Sequence, residues 1–163
     1  MLFNSIVFFT FLAVVLPLYY GLKSQMSKKV LLLVASYIFY GYWDWRFLGL
    51  LIFSSVMDFM LGQAIHNAKD AKTKRNWLTF SIVINLTILG FFKYYNFFID
   101  SFQSVFGGNL DFIHLNIVLP VGISFYTFQS LSYTFDVYRN NMKPEKNLLD
   151  YLLFVAFFPQ LVA

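Results

Sequence analysis

The chain contains no cysteine and only two histidines among its 163 residues. The absence of cysteine excludes disulfides, thiolate metal sites and a cysteine nucleophile. Charged residues are also scarce, because they make up 12% of the chain against about a quarter of a soluble domain. Hydrophobic residues instead reach 59%, and we therefore expect a membrane protein rather than a soluble domain.

Sequence motifs of the familiar soluble enzymes are missing as well. The chain has no GxSxG elbow, HExxH zinc pair, Walker loop or GxGxxG run, so hydrolase, metalloprotease and nucleotide-binding functions lack support. His66 begins a basic loop and His114 stands beside Asn116, so neither lies among buried polar partners. The residues alone assign no catalytic group and no metal ligand, and the roles of both histidines stay open.

Six apolar runs follow one another along the chain, and most approach the roughly 20 residues that a helix needs to cross a bilayer. They cover residues 2–22, 30–43, 47–65, 77–99, 117–138 and 148–163. The second run is short for a complete crossing, so whether it spans stays open. The predicted fold is all-α, a polytopic transmembrane helix bundle of about six spans that forms a partial single membrane domain over residues 1–163.

Lysine and arginine are concentrated in three connections between these runs, at residues 23–29, 66–76 and 139–147. Residues 100–116 contain aspartate but no lysine or arginine. The positive-inside rule then places the N-terminus outside and all three basic connections in the cytoplasm. The net charge of +4 therefore indicates membrane topology, and we expect no nucleic-acid partner.

The stretch at residues 119–139, LPVGISFYTFQSLSYTFDVYR, combines the length of a span with polar residues at helical spacing. These residues recur at intervals of four and three, so they share one face of a helix. They are Gly122, Tyr126, Gln129, Tyr133 and Asp136. Because an amide and a carboxylate are costly in hydrocarbon, this face must meet other helices or a wet cavity. Spacing alone leaves open whether it only holds helices together or serves a function.

A second carboxylate lies inside the third run. Asp58 is about 10 Å from the end of that run, at a depth where an ionised carboxylate costs about 2.5–3.5 kcal/mol. Asp58 must therefore have a partner or be neutral. Lys93 is too distant along the membrane normal to pair with Asp58, and we expect Asp136 to pair locally with Arg139.

The run LPVGISFYTFQ, followed by LSYTFDVYR, resembles the signature segment of the membrane-bound O-acyltransferase family, in particular its alginate O-acetyltransferase branch. The segments SYIFYGYWDWRFLGLL, LGFFKYYNFFID and YLLFVAFFPQLVA agree in the same order, so the resemblance covers essentially the whole chain. It implies a multi-pass enzyme of the bacterial inner membrane that helps transfer acetyl groups to an exported polysaccharide such as alginate.

The resemblance also implies partners and site residues. It implies a cytoplasmic acyl donor such as acetyl-CoA, no bound cofactor, and a periplasmic acetyltransferase partner beside the lipid bilayer and the polysaccharide. The family's catalytic histidine belongs to a later span that nothing here matches, so we expect the N-terminal part of a longer enzyme, inactive alone. Within the matching motif, we expect Gln129, Asp136 and Arg139 to line or brace the inner part of the transfer path. The further substrate-path candidates are Tyr126, Tyr133 and Asp58.

Two alternatives from other functional classes remain. In a transporter or channel subunit, Asp58, Lys93 and Asp136 would form an ion or proton route. Inverted repeats would favour that function, and the sequence shows none. The second alternative is a structural membrane scaffold, in which the polar face supports assembly alone.

Overall fold

The computed structural model describes residues 5–106 and 118–161, which form helices joined by short connections. The helices are α1 (Ile6–Gly21), α2 (Gln25–Asn67), α3 (Ala71–Phe106), α4 (Ile123–Tyr138), α5 (Leu148–Ala156) and α6 (Phe158–Leu161). The predicted all-α class is confirmed. Two segments, Gln25–Asn67 and Ala71–Tyr95, are long and apolar enough to cross a membrane, whereas Ile6–Gly21 and Leu148–Leu161 are shorter apolar helices. The count of six spans therefore stays a prediction.

The long helix α2 folds back on itself at Asp44. Lys29, in its first half, forms an ion pair with Asp150 at 2.7 Å, and Gln63, in its second half, donates to the backbone carbonyl of Glu145. A straight helix would hold Lys29 and Gln63 about 50 Å apart, yet both contact one short stretch of chain. The two halves of α2 therefore run back along each other, as the predicted separation of the second and third apolar runs requires.

The reversal occurs at one residue, Asp44. Its backbone is extended (φ −160°, ψ 111°) between helical neighbours. Its carboxylate accepts hydrogen bonds from the Arg46 backbone N–H at 3.0 Å and from the Arg46 Nε at 2.9 Å. The rings of Trp43 and Trp45 are exposed beside it, which suits an aromatic anchor at a bilayer boundary.

The basic connection predicted at residues 66–76 is mostly helical. α2 continues to Asn67 and α3 begins at Ala71, so residues 68–70 alone link the two helices. Asp70 caps α3 by accepting a hydrogen bond from the backbone N–H of Thr73 at 2.7 Å, and this bond lowers the pKa of Asp70 from its ordinary value. Lysine and arginine are good helix formers, so the helix extends through a charged cluster, and the span predicted at residues 77–99 is only part of α3.

The bundle is apolar inside and outside. α2 packs against α3, α4 and α5, and α1 lies against α2. The buried core includes Tyr40, Leu51, Ile65, Tyr126 and Val137. Large apolar side chains are also exposed, among them Phe53, Met60 and Phe97. An outer surface as apolar as the core is the surface that hydrocarbon requires.

The last predicted span, at residues 148–163, is instead divided into α5 and α6 in the part that the structure describes. Pro159 has no N–H and cannot continue the α-helical ladder, so the chain breaks just before it. The carbonyl of Phe154 accepts a hydrogen bond from the Gln129 side-chain Nε2 at 2.9 Å. The freed N–H of Phe158 donates to the Ser36 hydroxyl at 3.2 Å. Side chains of neighbouring helices thus satisfy the backbone at the break.

The start of α4 requires a glycine. The signature span, predicted to begin at residue 117, becomes helical only at Ile123, and residue 117 itself lies outside the described residues. Gly122 adopts the left-handed backbone conformation (φ 74°) just before the helix, so it does not share the helix face that its spacing predicted. A Cβ at Gly122 would also lie 2.7 Å from the backbone carbonyl oxygen of Leu161. The backbone conformation and the close approach of α6 both exclude a larger residue.

We expect Gly122→Ala to lower the free energy of unfolding by about 1–2 kcal/mol for the left-handed backbone alone, and more because Leu161 must move. Gly90→Ala in α3 is the matched control, since a methyl group there meets nothing within 4 Å and alanine favours a helix. Thermal unfolding of both purified variants in detergent, followed by circular dichroism, measures the difference. Equal midpoints for the two variants would contradict this account.

Candidate functional site

Asp58 lies at the centre of the bundle and is fully buried. Its Oδ1 accepts hydrogen bonds from the Ser81 hydroxyl and from the Asn85 side-chain Nδ2, both at 2.9 Å, and its Oδ2 accepts from Asn85 at 3.0 Å. The buried Ser130 side chain of α4 also lies beside this carboxylate. The sequence left open whether Asp58 has a partner or is neutral; the structure gives it partners, which among the described residues are a hydroxyl and an amide rather than a lysine or arginine.

The hydrogen bonds around Asp58 join four helices. Ser81 of α3 lies 3.4 Å from the Thr134 hydroxyl of α4, and the Tyr151 hydroxyl of α5 donates to Ser130 at 3.5 Å. We call Asp58, Ser81, Asn85, Ser130, Thr134 and Tyr151 the polar centre. Analysis of the sequence missed most of it, although Ser81 and Asn85, and Ser130 and Thr134, are each four residues apart on one helix face.

The predicted polar face of α4 straddles two environments. Tyr126 and Tyr133 are buried, at 1% and 4% exposure, and belong to the core of the bundle. Gln129 and Asp136 are half-buried and line a groove on the side of the helix next to α5. Arg139 follows the end of α4 and is exposed. The residue spacing therefore predicted that these residues are neighbours on α4. It could not predict which of them are buried in the bundle and which line the groove.

The groove between α4 and α5 has a volume of about 580 Å³. Aromatic rings line it near the start of α4 and the end of α5, and carboxylates line the end where the chain connects α4 to α5. The rings are those of Phe125, Phe128 and Phe154, and the carboxylates are those of Asp136, Glu145 and Asp150. The groove is thus apolar along most of its length and acidic at one end.

Tyr133 forms the inner wall of this groove and fixes the spacing between α2 and α4. A Cβ built on Gly62 of α2 would lie 2.6 Å from the Tyr133 ring, so the ring lies directly against the glycine backbone. On its other side the ring packs against Tyr151, with centroids 4.6 Å apart. The Tyr133 hydroxyl accepts a hydrogen bond from the backbone N–H of Glu145 at 3.3 Å. Tyr133 therefore contacts α2, α5 and the loop before α5.

The predicted ion pair between Asp136 and Arg139 is wrong. Asp136 Oδ1 instead accepts a hydrogen bond from the Asn141 side-chain Nδ2 at 3.2 Å. The reason is the backbone of Asn140, which adopts a left-handed conformation (φ 59°) after the helix ends. This conformation ends α4 and turns Asn141 back toward Asp136, whose carboxylate also borders the groove.

Lys93 is separated from Asp58, as its depth predicted. Its Nζ lies 3.4 Å from the Ser124 hydroxyl near the start of α4 and 5.3 Å from the centroid of the Tyr94 ring. Lys93 is exposed, whereas Asp58 has no exposed surface. The structure does not bring these two residues together.

Of the two histidines, only His66 belongs to the described residues, and it lies away from the polar centre and the groove. His66 is exposed in the last turn of α2, and His114 lies outside the described residues. Within residues 5–106 and 118–161, no group of three His, Cys, Asp or Glu side chains converges on a point that would hold a metal ion. What these residues offer chemically is hydrogen bonding, a confined apolar groove and a carboxylate rim.

Comparison with known proteins aligns the whole chain with proteins whose names describe O-acetylation. The chain is 44% identical over 168 residues to "Probable alginate O-acetylase AlgI" of Pseudomonas syringae pv. tomato, with 100% of the chain and 32% of the relative covered. The protein of the same name from Azotobacter vinelandii is also 44% identical, with 33% of its length covered. The chain is homologous to the alginate O-acetylases along its whole length. The resemblance seen in the signature segment is confirmed.

The homology to alginate O-acetylases extends to a protein with a different named substrate. "Peptidoglycan O-acetyltransferase" of Helicobacter pylori is 34% identical over 192 residues, with 100% of the chain and 36% of that protein covered. The chain spans about a third of the length of the curated relatives it matches. No family model and no solved structure matches the chain.

Replacing Asp58 tests the polar centre. We expect Asp58→Ala to destabilise the purified protein strongly, because the donors of Ser81 and Asn85 lose their acceptor, and each unsatisfied buried group costs about 1–3 kcal/mol. Asp58→Asn retains a carbonyl acceptor and should lose less. Asp70→Asn controls for loss of one carboxylate, since asparagine also caps helices. The measurement is the midpoint of thermal unfolding in detergent. Equal midpoints for Asp58→Ala and Asp70→Asn would contradict the role of the polar centre.

Proposed function

We propose that this chain is part of a membrane-bound O-acyltransferase, which moves acetyl groups from a cytoplasmic donor toward an exported polysaccharide such as alginate. The observation that carries the proposal is the 44% identity to alginate O-acetylases, which extends over the entire chain. The relative named for peptidoglycan supports the same class of acceptor, because peptidoglycan is also a polysaccharide outside the cytoplasm. Acetyl-CoA or a similar thioester is the proposed donor, and a periplasmic acetyltransferase is the proposed partner.

The proposed orientation has the N-terminus outside a bacterial inner membrane. The three basic segments meet at one end of the bundle, and two contacts support this arrangement. Lys29 pairs with Asp150 at 2.7 Å, and the Lys74 ammonium donates to the Asn140 side chain at 2.8 Å. Basic residues gathered at one end are what the positive-inside rule requires of a cytoplasmic face.

We propose that the groove forms the inner, cytoplasmic part of the transfer path. Gln129, Tyr133 and Asp136 line it, and Arg139 follows at its acidic end. Asp58 and Tyr126 act behind the wall, where they hold α2 and α4 in place. Transfer of an acyl group to a hydroxyl needs a general base and stabilisation of an oxyanion. We assign neither role to these residues, and propose that the catalytic histidine lies elsewhere in the complete enzyme.

The ion-route alternative finds less support. It requires Asp58, Lys93 and Asp136 in one continuous line. Asp58 is sealed among hydroxyls and an amide, Lys93 reaches Ser124 near the opposite end of α4, and Asp136 faces the groove. The scaffold alternative makes a different prediction from the proposal: if the chain is only a scaffold, replacing the groove residues leaves acetylation unchanged.

We expect Asp136→Ala in the complete enzyme to lower acetylation of the exported polysaccharide by about tenfold, as misplacement of a substrate does, at unchanged abundance in the membrane. Proton NMR of the polysaccharide measures its acetyl content, and immunoblotting measures abundance. Asp70→Asn, at the same end but outside the groove, is the control and should retain acetylation. If Asp136→Ala is as abundant as the unaltered enzyme and acetylation is unchanged, the result favours the scaffold alternative.

A further inference from the structure

The groove between α4 and α5 is polar at one end and apolar along the rest of its length, as a phospholipid is. Its carboxylates belong to the last turn of α4, the loop that follows and the first turn of α5, so they lie at one end of the bundle. Phe125 and Phe128 lie two to three helical turns farther along α4, about 12–16 Å from Asp136, and are exposed toward the outside of the bundle. A chain of about ten methylene groups would cover that distance.

Acceptors dominate the polar lining. Three carboxylates and the Gln129 amide border the groove, and none of the lining residues is lysine or arginine. Gln129 Nε2 is already committed to the Phe154 carbonyl. Gln129 Oε1 and Asp150 Oδ1 have no hydrogen-bond partner in the part of the chain that the structure describes. Each carboxylate already accepts at least one hydrogen bond: Asp136 from Asn141, Glu145 from the backbone N–H groups of Lys146 and Asn147, and Asp150 from Lys29. A carboxylate can accept more than one, so an occupant that complements this end would bring N–H donors and positive charge.

Basic residues are close in sequence to the carboxylates at this end of the groove. Arg139, Lys143 and Lys146 follow α4 in sequence and are all exposed. Lys29 lies on the other side and pairs with Asp150. We call this acidic end of the groove, with the basic residues near it, the rim. Its carboxylates line the groove, and its ammonium and guanidinium groups do not. This arrangement complements a zwitterion whose positive group enters the groove and whose negative group remains at the rim.

We propose that the groove binds one bilayer phospholipid of the phosphatidylethanolamine class. An acyl chain lies along Phe125, Phe128 and Phe154, the primary ammonium donates to the carboxylates of Asp136 and Glu145, and the phosphate faces the exposed cations of the rim. The proposal rests on the proposed function, in which the groove belongs to the transfer path, and goes beyond it: the bound lipid forms one wall of that path, and no acyl group is transferred from it.

The headgroup distinguishes this lipid from other membrane lipids. Phosphatidylcholine carries the same charges but its trimethylammonium group has no N–H donor, and phosphatidylglycerol has no positive charge. We therefore expect phosphatidylethanolamine to be retained about fivefold better than either, the scale of one partly exposed ionic hydrogen bond. The measurement is native mass spectrometry of the purified, delipidated complete protein after incubation with vesicles containing equal parts of the three lipids with matched acyl chains.

Two variants locate the binding. Asp136→Asn combined with Glu145→Gln keeps the shape of the rim and should reduce the preference to about equal retention of the three lipids. Ser132→Phe places a ring in the groove and should reduce retention of all three. Asp70→Asn, which removes a carboxylate at the same end but outside the groove, should leave the preference unchanged.

Three results would overturn the proposal: no preference for phosphatidylethanolamine in the unaltered protein, a preference that survives the double substitution, or a loss of preference in Asp70→Asn. Circular dichroism of each variant confirms that it is folded before lipid is added. Because the readout is lipid retention, failure of this experiment leaves the acyltransferase proposal unaffected. Loss of acetylation in Asp136→Ala, in turn, gives no support to the lipid.

Discussion

A carboxylate that is removed from water, with no cation beside it among the residues that the structure describes, sets the main constraint on this bundle. Asp58 is such a group, and its burial is tolerable only because hydroxyl and amide donors surround it. Those donors come from α3, and Ser81 also contacts the Thr134 hydroxyl of α4, so neither helix can rotate or slide without disturbing these hydrogen bonds. In a membrane, where apolar residues pack equally well against lipid, such hydrogen bonds determine how helices associate.

The same requirement governs the break between α5 and α6. Pro159 interrupts the ladder of backbone hydrogen bonds, and the carbonyl and N–H groups near it must find partners inside the protein. Gln129 and Ser36, from two other helices, provide them. Gln129 therefore stabilises the break between α5 and α6 in addition to lining the groove. Its amide nitrogen stabilises α5, and its side-chain oxygen is buried without a hydrogen-bond partner in the described part of the chain.

Local patterns in the sequence were sufficient for the helical class and for the separation of the second and third apolar runs, because the length of an apolar run is a property of neighbouring residues. They also showed that Asp58 needs a partner or must be neutral. They did not identify Ser130 or Tyr151, whose hydroxyls meet next to Asp58 only after helices far apart in sequence have packed together. Tertiary structure alone shows that contact.

Two errors have a shared cause in backbone conformation. The pairing of Asp136 with Arg139 assumed that the helix continues, whereas the left-handed backbone of Asn140 turns the chain and presents Asn141 instead. The inclusion of Gly122 in the polar face assumed that the helix starts earlier. In both cases the residue spacing was correct but the helix boundary was not, and boundaries depend on single residues with unusual dihedral angles.

The contact between Gly62 and Tyr133 has a consequence for how this sequence can diverge. Because the phenol ring rests on the bare backbone of the opposing helix, the two positions share one volume. A methyl group acquired at position 62 would be tolerated only after the aromatic ring at position 133 had been exchanged for something smaller. We therefore anticipate that homologues change these two sites jointly, with glycine opposite the ring or a bulkier residue opposite a short side chain.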